Sequence, residues 1–128
     1  MEDDIFALFE EGQDYLAPGL TLEIFAQYFV ESLKNPDTHI IIISDPEGKS
    51  QAIAWCQVLV TGSLFIHYVY ARRGYGRKLE KMVDALALKT KCRRITGITR
   101  RELNFVEKIF VKKYGYQVVG YWLDKEIT

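Results

Sequence analysis

The sequence predicts an α/β fold of the α+β kind over residues 1–128, a mixed and mostly antiparallel sheet accompanied by helices. Three observations predict it. Residues 38–70 hold three strand-like runs joined by turns too short for a crossover, so they form an antiparallel meander. Stretches with the apolar spacing of helices precede and follow that meander. The run 94–99 is reached from the third strand through one of those helices and therefore lies parallel to it.

Taken in order, residues 2–11 suit a short helix with Ile5, Leu8 and Phe9 on one side, broken by Gly12 and then Pro18-Gly19. Thr21 is the N-cap of the next helix, with Glu23 in its first turn. Leu22, Phe25, Ala26, Phe29 and Leu33 recur at helical spacing and read as core, and Asn35-Pro36 stops the helix. Residues 38–44, with four consecutive isoleucines, read as a strand covered on both faces. Asp45-Pro46-Glu47-Gly48 is a turn in which proline presets φ and glycine takes the awkward position. From 51 to 60, Ile53, Trp55, Gln57 and Leu59 alternate with Ala52, Ala54, Cys56 and Val58. Thr61-Gly62 leads to a third strand at 63–70. A helix from Gly76 to about Thr90 carries Leu79, Met82, Val83 and Leu86 on one face. A second, over 102–114, carries Leu103, Val106, Ile109 and Phe110, with Gly115 as its C-cap. Residues 116–127 alternate as a last strand.

Composition narrows the function. Hydrophobic residues at 48% and charged residues at 27% describe a folded globule rather than a disordered chain. Basic and acidic residues balance at 17 each, which argues against a polyanion partner. Their distribution is uneven: the first fourteen residues are acidic, whereas 72–113 hold most of the basic ones. A local anion site suits that pattern better than a nucleic-acid face, although Arg72, Arg73, Arg77, Lys78 and the basic residues of 89–101, with Tyr70 and Tyr75 to stack on bases, keep the second reading open. Cys56 and Cys92 are in no metal-ligand or redox-pair spacing, so they read as reduced thiols of a cytoplasmic protein. His39 and His67 are not spaced as ligands, and no metal is expected. The chain shows no signal peptide and no membrane-length apolar run.

The informative stretch is 64–79, Leu-Phe-Ile-His-Tyr-Val-Tyr-Ala-Arg-Arg-Gly-Tyr-Gly-Arg-Lys-Leu. A strand enters a basic turn with two glycines one residue apart, and a helix follows at once. Glycine leaves no Cβ in a ligand's way, and a helix start offers unpaired N–H groups and the positive end of its dipole. Together they seat a phosphate. The spacing is neither that of a P-loop nor that of a dinucleotide fingerprint, which needs a third glycine where Leu79 stands.

From Leu64 to Gly76 the register resembles, without a gap, the signature segment of the GCN5-related N-acetyltransferases (GNAT). Leu64 and Ile66 fill the apolar strand positions and Gly74 and Gly76 the glycine positions. The order helix, three strands, helix, strand, helix, strand resembles the family over nearly the whole chain, as does Gly115-Tyr116 after the last helix. The resemblance implies helices on both faces of the sheet and a fork between two parallel strands. Acetyl-CoA, as cosubstrate, would lie there, its pantetheine arm against Ile66 and its pyrophosphate under Arg72, Arg73, Gly74, Tyr75, Gly76 and Arg77. It implies transfer of acetyl to a primary amine on a small molecule or a protein. Departures stand beside it. Ala71 occupies the family's usual Arg/Gln position, and Val111 the position of its usual thiolate-protonating tyrosine. Asn104 falls where the family often has Asn, and Glu107 where it has a small residue. His67 is the one imidazole near the cleft and the candidate base, provided that strand alternation does not turn its side chain to the far face. The alternative reading is a catalytically inactive acyl-CoA binder or an assembly protein. The family's first strand is absent or replaced by the acidic helix, leaving a sheet edge through which a homodimer could form.

Overall fold

The computed structural model describes residues 2–120 and 123–127. The chain divides into two compact units, Met1–Gly97 and Ile98–Thr128.

The first unit is a four-stranded sheet with helices on both faces. Helix α1 spans Asp3–Glu11, a short 3-10 turn covers Gln13–Tyr15, and α2 spans Leu22–Ser32. Thr21 does cap α2, its hydroxyl accepting from the Ile24 amide at 3.2 Å. Strands β1 (Thr38–Ser44), β2 (Ser50–Val58) and β3 (Ser63–Ala71) follow, then α3 (Gly76–Lys89) and β4 (Arg94–Gly97). The spatial order is β1-β2-β3-β4, with two antiparallel pairings and a parallel β3–β4 pairing that α3 makes possible.

Strand alternation divides the apolar residues between two cores. On one face Ile43, Ala52, Ala54, Cys56 and Leu64 pack against Leu79, Val83 and Ala87 of α3. On the other, Ile53, Trp55 and Tyr68 meet Leu8 and Phe9 of α1 and Phe25 and Phe29 of α2. This second core is a web of edge-on aromatic contacts: Phe9 lies 5.0 Å from Phe25, 5.0 Å from Phe29 and 5.2 Å from Tyr68. Such pairs add about 0.5–1.5 kcal/mol each beyond the area they bury.

Several expectations need correction. The isoleucine strand meets a core on each face, Ile41 and Ile43 on the α3 side and Ile40 on the α1/α2 side, but as the edge strand it is covered incompletely: it buries only Ile43 fully, and Ile42 is 37% exposed. Leu33 falls beyond the last turn of α2 and is 53% exposed, and Met82 sits at the margin of the buried stripe of α3. In β2 the apolar pattern continues to Val60, but pairing ends at Val58 because Leu59–Gly62 closes the hairpin turn.

The second unit holds α4 (Leu103–Phe105), which continues directly into a π-helical stretch, Val106–Lys113. The widened turn shows in the Tyr114 amide donating to Ile109 O, five residues back. Gly115, at φ +80°, then closes the helix by donating to Val111 O, so the expected C-cap is present. The predicted last strand is not. Residues 116–120 and 123–127 pair with no strand, and 121–122 lie outside the described residues.

Candidate functional site

The sheet opens at one point. Parallel pairing of β3 with β4 runs from Ser63–Arg94 to Ile66–Gly97 and ends, although β3 continues to Ala71. Residues 68–71 therefore pair with β2 along one edge and have no β4 residue on the other. The same place carries a β-bulge: Trp55 faces Tyr68 while Cys56 faces Ile66, so His67 is an extra residue on β3. A bulge bends its strand and sharpens its twist. Ile66 is thus the last residue of β3 held on both sides. It is also held tightly, because a Cβ on Gly97 would lie 3.4 Å from Ile66 Cβ and from Ile66 O.

Beyond the fork, β3 enters the turn 72–76. The Arg72 amide donates to Gln51 O, extending the β2 contact, and the Tyr75 amide donates to Arg72 O at 3.0 Å. Gly74 takes φ +95°, a left-handed conformation that side chains disfavour, and open space surrounds the position its Cβ would fill. Gly76 has another role: it is the first residue of α3. No side chain caps α3, which leaves the first-turn amides Gly76, Arg77 and Lys78 directed at the turn. Arg73, Gly74, Arg77 and Lys78 are exposed, and Tyr75 is half-buried against the α3-side core.

Arg72 is placed differently from its neighbours. Its guanidinium grips Glu11 at the end of α1, with Nε 3.0 Å from Oε1 and a short contact from a terminal nitrogen to Oε2. Its other terminal nitrogen reaches Gln51 Oε1 at 3.3 Å, and Tyr70 Oη donates to Glu11 at 3.2 Å. The Arg72 hydrogen bonds hold the Glu11 carboxyl below its ordinary value. Arg72 therefore anchors the start of the turn to α1, and the exposed positive charge of the turn comes from Arg73, Arg77 and Lys78.

At the bulge, the His67 ring faces the α1/α2 side. It stacks on Trp55 (centroids 4.8 Å apart, 26° between planes), meets Phe65 edge-on at 4.9 Å, and its Nε2 lies 2.8 Å from Gln57 Oε1. Partial burial lowers its pKa from the ordinary value. The buried Trp55 Nε1 has no hydrogen-bond partner among the described residues. Two participants here escaped the sequence reading. Gln57 had a signal, as the one amide in the row Ile53, Trp55, Leu59. Glu11 had none, because 61 residues separate it from Arg72.

The remaining candidates are elsewhere. Cys56 is buried in the α3-side core, which pushes its thiol up to about 12, so it is no nucleophile at neutral pH. Within the second unit Val111 is half-buried, and Asn104 and Glu107 are exposed. An open depression between α1 and α2, lined by Asp3, Phe6, Ala26, Gln27, Val30 and Glu31, shares no residue with the fork or the turn. Among the described residues no helix is long and apolar enough to cross a membrane.

No family model matches the sequence, and no curated protein does. Solved structures do. A protein of Agrobacterium tumefaciens classed as an acetyltransferase superimposes with a TM-score of 0.71 at 22% identity, covering 95% of this chain and 92% of that one. A Pyrococcus furiosus protein classed likewise gives 0.73 at 14% identity over 98% and 93%. The aminoglycoside acetyltransferase AAC(6')-Iy, solved with the bisubstrate analogue CoA-S-monomethyl-acetylneamine, gives 0.67 at 15% identity over 98% and 90%. The chain thus shares its overall fold with these acetyltransferase structures, the fold of the GCN5-related N-acetyltransferases.

Proposed function

We propose that this chain, acting as one domain over residues 1–128, is a cytoplasmic N-acetyltransferase that moves acetyl from acetyl-CoA to a primary amine. The observation that carries the reading is the fork: β3 loses its β4 partner after Ile66, five residues before a turn with uncapped helix amides. The pantetheine arm carries amides and would pair as an added strand where β3 parts from β4, starting beside Ile66. The pyrophosphate would rest on the amides around Gly74 and Gly76–Lys78, with Arg73 and Arg77 beside it and Tyr75 fixing the turn. Hydrogen bonds to a charged group contribute about 1.5–3 kcal/mol each. The Arg72 side chain, held by Glu11, would shape the turn rather than neutralise phosphate. The cradle is mainly backbone, so Ala71 at the family's usual Arg/Gln position does not abolish it.

One observation favours a second reading, an acyl-CoA binder without turnover. Val111 has no proton to give a departing thiolate, where the family's tyrosine would. Calorimetry with acetyl-CoA, together with thiol release in the presence of amines, separates the two. A ligand at a hundred times its Kd adds about 2.7 kcal/mol of stability. Binding with thiol release supports the transferase, binding alone supports the binder, and no binding ends both. The open outer edge of β1 is where a second copy would add, and sedimentation tests that homodimer.

A further inference from the structure

We propose that His67 accepts the proton of the attacking amine through Nδ1, with Gln57 as the positioning residue that fixes its ring. The inference rests on the transferase reading above and assigns it a base.

Location comes first. An alternating strand would send Ile66 and Tyr68 to opposite faces from His67 and leave only one of 67 and 68 on the α1/α2 side. The bulge puts both there: Tyr68 packs with the α1/α2 core while His67 stacks on Trp55 of that same core. His67 is also the first residue of β3 past its last β4 pairing, so it stands at the mouth of the fork. It remains exposed to solvent.

Chemistry comes next. Gln57 Oε1 is a carbonyl oxygen and only accepts, so the 2.8 Å contact makes Nε2 the protonated ring nitrogen. The lone pair is left on Nδ1. Stacking on Trp55 and the edge contact with Phe65 restrain the ring plane. Among the described residues the partners of the ring are uncharged: Trp55 and Gln57 come from β2 and Phe65 from β3, while Phe25 and Phe29 of α2 stand behind Trp55. Tyr68, next in the chain, directs its hydroxyl to Leu8 O. With no carboxylate beside it and part of its surface covered, the imidazole stays neutral at physiological pH, the state a base requires. In the step, the amine lone pair forms the C–N bond at the thioester carbonyl and one N–H proton passes to Nδ1. The C–S bond breaks with its electron pair on sulfur, and the imidazolium returns the proton to the thiolate or to solvent. The products are an N-acetyl amide and free CoA.

The test uses the full chain, acetyl-CoA, and phenethylamine as acceptor probe, chosen because the ring's neighbours are aromatic. Acetyl-CoA binding is followed by calorimetry and turnover by thiol release across pH 5–9. His67→Gln retains an amide able to meet Gln57 and removes the base. It should keep acetyl-CoA affinity, lower kcat by about 100-fold, and abolish the acid limb of the kcat profile. Gln57→Leu should lower kcat less and keep the limb, displaced along the pH axis. Long-range proton–nitrogen NMR should find the Nε2–H tautomer. The assignment is overturned if His67→Gln retains kcat within about threefold or keeps the acid limb. Failure of the unaltered chain to bind acetyl-CoA, or binding with no thiol release, would instead remove the transferase reading itself.

Discussion

Replacing Gly12 with alanine tests the packing that supports the bulge. Gly12 lies at φ −97°, ψ 9°, which alanine tolerates, so the backbone gives no penalty. The obstacle is steric. A Cβ there would lie 2.1 Å from Tyr68 Oη, 3.1 Å from Cζ and 3.3 Å from Cδ1 of Tyr70. Tyr68 cannot simply swing aside, because its ring is wedged edge-on against Phe9 at 5.2 Å and Phe25 at 5.1 Å. Its hydroxyl donates to Leu8 O at 2.8 Å in a buried setting. Accommodating the methyl therefore requires breaking that hydrogen bond, about 1 kcal/mol, and overpacking the core, about 1–3 kcal/mol. The sum is about 3 kcal/mol, or a fall in Tm of about 10 °C for a chain of this length. Urea unfolding should show a lower midpoint with the slope unchanged. Tyr68→Phe removes the atom in the closest clash, so Gly12→Ala combined with Tyr68→Phe should be more stable than Gly12→Ala alone. A Gly12→Ala cost below about 0.5 kcal/mol, or additive losses in the double variant, would refute the packing argument.

Three further outcomes are expected. Gly74→Val places its Cβ in open space, but a β-branched residue at φ +95° is strained, so it should cost about 1–2 kcal/mol in urea unfolding and weaken acetyl-CoA binding at least about tenfold by calorimetry. Asp4 and Glu11 both have pKa values lowered in the fold, Asp4 mainly by the Ser50 amide and Glu11 mainly by Arg72. Their contribution is therefore present above the ordinary carboxylate range and lost as pH falls below about 4, and Asp4→Asn with Glu11→Gln should flatten the acid side of a stability-versus-pH curve. In native protein at pH 8, a chromogenic disulfide should label the half-buried Cys92 and spare Cys56, which is fully buried with its thiol pushed up to about 12.

The elements that the sequence made legible are those with a local cause. Thr21 before an apolar period, Asp45-Pro46 before Gly48, and Gly62 between two alternating runs each carry their own instruction, and α2 and the three meander strands lie close to where those residues put them. The glycine turn before α3 was legible for the same reason. What escaped depends on the partner rather than the residue. Nothing in Ile66-His67-Tyr68 distinguishes a bulge from straight alternation, because a bulge is a mismatch of count between two strands. The alternation in 116–127 spoke for a strand, yet alternation marks only a side to bury and does not supply a neighbour. Arg72 looked like a phosphate ligand beside Arg73. Only the fold brings Glu11 to it.

The stretch of β3 past its β4 pairing raises a question of support, and α1 supplies part of it. Gly12 lies against Tyr68, the Tyr68 hydroxyl bonds Leu8 O, and the Tyr70 hydroxyl and Arg72 guanidinium both bond Glu11. These contacts fall on alternate residues 68, 70 and 72, all on one face and all past the fork. The buried hydrogen bond contributes about 1 kcal/mol, and the partly exposed ion pair no more than about that. Both reach β3 through side chains on its face rather than through its backbone edge. The acidic helix α1 thus has a mechanical reason to end in Glu11, next to the close approach of Gly12 to β3.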